Sequence, residues 1–229
     1  MSTAKSDAMR NDSPLRVWGV GTTRTIRVHW MLAELGLDYE TREIIPRTDT
    51  MEGPDFLQVS ARGKVPILEH GSVVIGESAA IVHYLADRFP SDLVFVPTPG
   101  TAERARFDEM CFFAMSEMDA PLYVIRRHEG LPEVYGASQV AVDAAREYFL
   151  RQSRVVESWL EAIDTFMMGK RFSAVDILIV SCLNWAQFVG IELAPRLADY
   201  LAMTAERPAS KAAFAKNFPP AAMAMLTKS

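Results

Sequence analysis

Hydroxyls, an acid and a proline in the first third of the chain are the residues whose types and spacing could do chemistry. Thr22, Thr23 and Thr25 stand in Gly19-Val20-Gly21-Thr22-Thr23-Arg24-Thr25, where a short apolar run gives way to helical periodicity. A hydroxyl at such a junction ordinarily caps helix N–H groups, and it can also donate a hydrogen bond to an anion. Glu77-Ser78 opens a second helical stretch, and there unpaired amides favour an anionic ligand to which serine adds its hydroxyl. Between these points Val65-Pro66-Ile67 sets a proline between two β-type residues. A proline cannot donate to a ladder, so this one belongs at a strand edge or a bend. Cys111 and Cys182 are far apart and share no metal-type or redox spacing, so they read as buried thiols in a reducing compartment.

The elements that must position these groups follow from periodicity. Leu15 to Val20 reads as a strand, Arg24 to Leu35 as a helix ended by Gly36, and Tyr39 to Ile45 alternates as a second strand. After an irregular stretch from Pro46 to Pro54 and a helical turn at Asp55 to Val59, Val65 to Ile75 reads as a hairpin about His70-Gly71. Ala79 to Phe89 is then helical, and Pro90 stops it. From Thr101 onward only helical patterns remain: Ala102 to about His128, Ser138 to Ile163, Ala174 to Gly190, Pro195 to Ala205 and Ala209 to Phe214. Pro121 should kink or break the first of these near Ala120. The expected order is β-α-β-α-β-β-α followed by an all-α half. Residues 1–14 read as a flexible tail, 15–90 as the mixed domain, 91–100 as a Pro/Gly linker and 101–229 as the helical domain.

Composition narrows the function classes. The chain has 229 residues, 49% of them hydrophobic and 23% charged, which suits a globular protein. A net charge of -5 with no long basic run makes nucleic acid a poor partner. The polar first thirteen residues exclude a secretory signal, and the longest apolar run, Ile177 to Ile191, is too short to span a bilayer. No membrane partner and no metal are expected, and the cytoplasm is the expected location. Ser173-x-x-Asp176 reads as a capping box at the mouth of that apolar helix, with a structural role.

Three stretches carry a family resemblance. Gly63-Lys64-Val65-Pro66-Ile67-Leu68 followed by Gly76-Glu77-Ser78-Ala79-Ala80-Ile81 resembles the strand, turn and helix of the glutathione site in cytosolic glutathione transferases. Arg27 to Glu40 resembles the first helix and second strand of many bacterial and fungal members, and Gly169 to Ile177 is similar to the family's buried helix-capping motif. The resemblance implies a thioredoxin-like N-terminal domain, an all-helical C-terminal domain and a homodimer.

It also implies roles for individual residues. A cis Val65-Pro66 peptide would turn the Val65 backbone toward glutathione, which would bind there like an added strand. Ser78 and the helix start would take the glutamyl carboxylate and Glu77 the α-amino group, while Lys64, then Arg47, would meet the glycine end. Arg27 reads as readily as a solvated or inter-subunit charge. A free thiol has a pKa of about 8.5, and lowering it by two units takes about 2.7 kcal/mol of preferential thiolate binding. The loop before the first helix holds no Tyr and no Cys, so a hydroxyl is the expected activator: Thr22 by position, Thr23 at a one-residue offset, Thr25 third. Phe112, Met115 and Tyr123 are the residues expected to line a second-substrate pocket. The implied activity is transfer of glutathione to a small electrophilic or disulfide substrate. The alternatives are a glutathione-dependent disulfide reductase or peroxidase, and a non-catalytic binding protein that keeps the fold.

Overall fold

A computed structural model describes residues 13–89, 91, 95–163 and 165–226. Most of the expected tail, the stop at Pro90 and part of the expected linker lie outside these residues. The first half is a four-stranded mixed sheet with helices. Strands β1 (Leu15–Trp18) and β2 (Glu40–Arg42) run parallel around helix α1 (Thr23–Glu34). After a 3-10 turn at Asp49–Glu52 and the short α2 (Pro54–Val59), β3 (Ile67–His70) and β4 (Val73–Gly76) form the hairpin, and α3 (Ser78–Arg88) follows. The sheet order is β2-β1-β3-β4, with β3 antiparallel to β1. Both early strands are shorter than the periodicity predicts, because the chain peels away at Gly19. Two bonds still tie the diverging segments, from Gly19 N–H to the Arg42 carbonyl (2.9 Å) and from Val20 N–H to that of Ile44 (3.1 Å).

From Ala102 onward the chain is helical: α4 (Ala102–Phe113), α5 (Ala120–His128), α6 (Pro132–Tyr135), α7 (Gln139–Ile163), α8 (Ala174–Phe188), α9 (Pro195–Ala205), α10 (Pro208–Asn217) and α11 (Pro220–Leu226). The short α6 and α11 and the 3-10 turn were not expected from periodicity. Pro121 does not break its helix. The turn before it widens into a π-helix at Ala114–Asp119, and α-helix resumes at Ala120. A proline lacks the N–H that an α-turn would use, and a π-turn absorbs the mismatch without ending the helix. One core runs through both halves, with Val28, Met31 and Leu32 of α1 packed in the same cluster as Ile177, Leu178 and Cys182 of α8. Trp18, Ile44, Phe56 and Ile67 form a second, small cluster.

The capping box at α8 is closed by the carboxylate. Asp176 Oδ2 accepts from the Ser173 N–H and hydroxyl (both 2.7 Å), and Oδ1 accepts from Met167 N–H (2.9 Å) and the Tyr200 hydroxyl (2.5 Å). One fully buried acid thus ties three segments. Ser173→Ala removes one of these four bonds, and about 1 kcal/mol of stability is the expected loss. A drop in the urea midpoint at unchanged slope is the reading that checks it.

Candidate active site

The loop before α1 turns on Gly19 and Gly21, both at positive φ. Gly19 has φ +119°, and a Cβ there would stand 2.5 Å from Cβ of Val65, so the loop passes directly against the Val65 backbone segment. His29, fully buried on α1, holds it from behind: Nε2 donates to the Gly19 carbonyl (3.0 Å), and Nδ1 therefore accepts from the Tyr39 hydroxyl (2.9 Å). A carbonyl can only accept, which sets the tautomer.

Thr22 is the N-cap of α1. Its hydroxyl accepts from Thr25 N–H (3.0 Å), while Thr25 Oγ1 accepts from Thr22 N–H (3.0 Å). Thr25 is fully buried, and its own proton goes to Asn217 Oδ1 at 2.6 Å, so it does not face solvent or ligand. Asn217 closes the loop a second and third time, through Nδ2 to the Thr22 carbonyl (3.0 Å) and through its own carbonyl to Gly21 N–H (2.7 Å). Of the three threonines, Thr22 and Thr23 line an open cleft and Thr25 does not.

That cleft, about 620 Å³, lies between the loops of the first half and α5, α6, α8, α10 and α11. Arg47, Lys64 and Val65 line it from one side, and Tyr123, Arg126 and Trp185 from the other. The Val65-Pro66 peptide is cis, and Pro66 is buried behind Val65. Glu77 and Ser78 are not in the lining. The register Ile67↔Gly76 puts them beside Pro66 at the same end of the hairpin. Glu77 has φ +63° and is exposed, with Arg62 at 2.5 Å. Ser78 is buried, and its hydroxyl oxygen accepts from Arg27 Nη1 (3.1 Å) while its proton remains to be donated.

Several expectations need correction. Arg27 is neither a solvated nor an inter-subunit charge: it is fully buried and donates to Ser181 Oγ (2.6 Å) and to Asp119 Oδ2 (2.8 Å). Asp119 also accepts from Arg24 Nη2 (2.5 Å), and Arg24 stacks on the Tyr123 ring (4.4 Å to its centroid). Burial opposes the Asp119 charge, but the two guanidiniums together hold its carboxyl below the usual carboxylate range. Phe112 is 73% exposed and lies off the cleft, and the Met115 sulfur accepts from Arg27 Nη1 (3.4 Å). Helical spacing marks an apolar residue without saying which neighbour its face meets. Only Tyr123 of those three lines the cleft. Arg126, Trp185, Phe188 and Asn217 were missed. The one sequence signal that pointed to α8 is its interruption by Asn184 beside Trp185.

The protein's own thiols are no rivals for the nucleophile. Cys111 and Cys182 are buried, and burial pushes the Cys182 thiol up to about 12 and Cys111 higher than its ordinary value. Among the described residues no group of His, Cys, Asp and Glu is placed to hold a metal ion, and no helix is long and apolar enough to cross a membrane.

Comparison with known proteins falls on the same elements. Residues 24–88 match the profile described as glutathione S-transferase, N-terminal domain, and residues 113–208 that described as glutathione S-transferase, C-terminal domain. Glutathione S-transferase A of Pleuronectes platessa is 26% identical over 202 residues, covering 86% of this chain and 89% of its own. The crystal structure of a glutathione transferase from Methylococcus capsulatus str. Bath is 30% identical, with a TM-score of 0.79 over 89% of this chain and 98% of that one. A glutathione transferase homolog from Lodderomyces elongisporus, solved with two glutathione molecules per subunit, shares the fold at TM-score 0.81 and 20% identity over 90% of this chain and 99% of its own.

Proposed function

The chain belongs to the glutathione S-transferase family, and from that membership we propose that it binds glutathione along Val65, ionises the thiol with the Thr22 hydroxyl and transfers it to a small electrophile. The observation that carries the proposal is Thr22 itself. Its hydroxyl caps α1 at the wall of a cleft lined by Lys64 and Arg47; with the Thr25 proton on Asn217, the Thr22 proton rests on Thr25 Oγ1 (3.0 Å), and it would turn from there to a bound sulfur. Thr22 acts as a donor and not as a base. The thiol proton leaves to solvent, the thiolate accepts the Thr22 hydrogen bond, and the sulfur then forms a bond to the electrophilic carbon while the leaving group departs with its electron pair.

Placed against Val65, glutathione would direct its glutamyl end toward Ser78 and Glu77 and its glycine carboxylate toward Lys64 or Arg47. The serine- or threonine-using, bacterial type of the family is the one that this loop supports. We take the chain to divide at residues 91–100 and to act as a homodimer in the cytoplasm, a setting that its two free buried thiols suit.

Calorimetric titration with glutathione, with thiolate absorbance followed in the same samples, tests the reading. Thr22→Val is expected to return the bound thiol toward its free pKa of about 8.5, which cuts thiolate and turnover by about twenty-five-fold at about pH 7, while affinity changes only a few-fold. Unchanged ionisation would move the role to Thr23, and a flat titration would sink the proposal. A second reading, glutathione-dependent reduction of a mixed disulfide, is favoured by a cleft of about 620 Å³ and by the relative that holds two glutathione molecules. Release of glutathione disulfide from a mixed glutathione disulfide separates the two.

A further inference from the structure

The chain carries a net charge of -5, yet its cleft is lined by Arg24, Arg47, Lys64 and Arg126 and, among the described residues, by no Asp or Glu. Arg24 is neutralised by Asp119. Lys64 and Arg47 stand with Val65 and Thr22 on the glutathione side. Arg126 comes from the helical half, on α5, and shares the cleft lining with Tyr123, Tyr135 and Trp185.

Arg126 is also held in place. It is half-buried, its Nη1 donates to the Gly130 carbonyl (3.2 Å), and a Cβ at Gly130 would lie 2.4 Å from that same nitrogen. The absence of a side chain at Gly130 is what lets the guanidinium fold back over the chain. Burial, and after it the charge of Arg47, pull the Arg126 guanidinium below its ordinary value, with Glu133 acting the other way from outside the lining. A half-buried cation whose cleft wall holds, among the described residues, no carboxylate is stabilised by an anion that enters the cleft. The cleft also leaves large apolar side chains open: Val134 (61% exposed), Phe188 (56%) and Phe214 (48%) form part of its lining. Exposed apolar surface gathered around a concave site suits the body of a ligand.

We infer that the second substrate of this cleft is an aromatic anion, its carboxylate or sulfonate received by Arg126 and its ring laid among Tyr135, Trp185 and Phe188. The inference deepens the proposed function and rests on it for the placing of glutathione on the opposite wall. Arg126 is thereby a specificity residue, and the thiol-activating loop is untouched by its replacement.

Unreactive probes test it without requiring turnover. 4-Nitrobenzoate and 4-nitrobenzamide share shape and ring and differ in charge, and each is titrated calorimetrically into the protein with and without saturating glutathione. The expected result is that the benzoate binds about tenfold tighter than the amide. Arg126→Met should erase that difference, Arg126→Lys should keep part of it, and both should leave amide and glutathione affinities within about threefold. Equal binding of the two probes by the unaltered protein would overturn the inference. So would an Arg126→Met protein that keeps the discrimination but loses glutathione affinity, because Arg126 would then serve the glycine carboxylate. Failure of glutathione to bind while the benzoate still binds in an Arg126-dependent way would refute the proposed function and leave the anion site standing. Melting temperatures of both variants, compared with the unaltered protein, separate lost recognition from lost fold.

Discussion

Asp119→Ala is expected to cost the fold about 3–5 kcal/mol, the range for removing one partner of a buried ion pair. The side chains of Arg27 and Asp119 are 1% and 7% exposed, and a guanidinium left without its carboxylate there has no solvent to turn to. Arg27 also reaches Ser181 of α8 and Ser78 of α3, so the loss falls on the junction between the two halves of the molecule. Arg24 suffers less, because its side chain is 35% exposed and stacks on Tyr123. A double variant, Arg27→Met with Asp119→Leu, should be closer to the unaltered protein than Asp119→Ala alone, since the desolvation of both charges disappears together. Urea midpoints of Arg27→Met, Asp119→Leu and the double variant form the cycle that decides, with Asp119→Ala read beside them. A single-variant cost under about 1 kcal/mol would mean that water reaches the pair.

Acidification from pH 6.5 to pH 4 is expected to remove about 3 kcal/mol of stability through His29 alone. Burial, with a smaller push from the charge of Lys216, lowers the His29 pKa to about 4 despite its bond to the Gly19 carbonyl. In the unfolded chain the same imidazole titrates near its ordinary value of about 6.5. Between those values the unfolded state binds the proton and the folded state does not, so stability falls as pH drops through the window and is level above it. His70 and His83 are lowered by burial as well and add to the total slope. The His29 share is therefore read from His29→Gln, whose amide can still donate to Gly19. The variant should lose part of its stability at pH 7 and show a shallower decline toward pH 4. Parallel curves for the two proteins would show that His29 already carries its proton in the fold.

Much of this molecule was legible along the chain, and the reason is that local rules act over a few residues. Alternation in Tyr39 to Ile45, two short apolar runs about His70-Gly71, glycine at the end of α1 and helical periodicity after Ala102 are enough for the order of elements. They are also enough for a hydroxyl-bearing loop at a helix start and for a carboxylate three residues past Ser173. Strand ends were less legible, because β1 and β2 stop where the chain diverges at Gly19, and a glycine beside an apolar run does not say whether the strand ends before it or continues past it. Pro121 announced an irregularity but not its form: a π-turn keeps the helix intact, and Asp119 at its end meets Arg27. Arg27 itself looked like a surface charge, since nothing within its helix reveals Ser78, Ser181 and Asp119 arriving from three other segments.

The same limit governs the site. The hydroxyl, the Val-Pro pair and the acid-serine pair lie within about sixty residues of one another and follow one stretch of fold. The wall opposite is assembled from α5, α8, α10 and α11, and which faces of those helices meet the cleft depends on how they pack. Phe112 points to solvent and Arg126 into the cleft for that reason, although both sit in helical stretches of similar apolar content. Asn217 reaches Thr22 and Thr25 from the far end of the chain, a contact that only close packing of α10 on α1 creates. Residue types and spacing thus specify what chemistry the first half can do, whereas the partner that chemistry meets is a property of how distant helices come together in space.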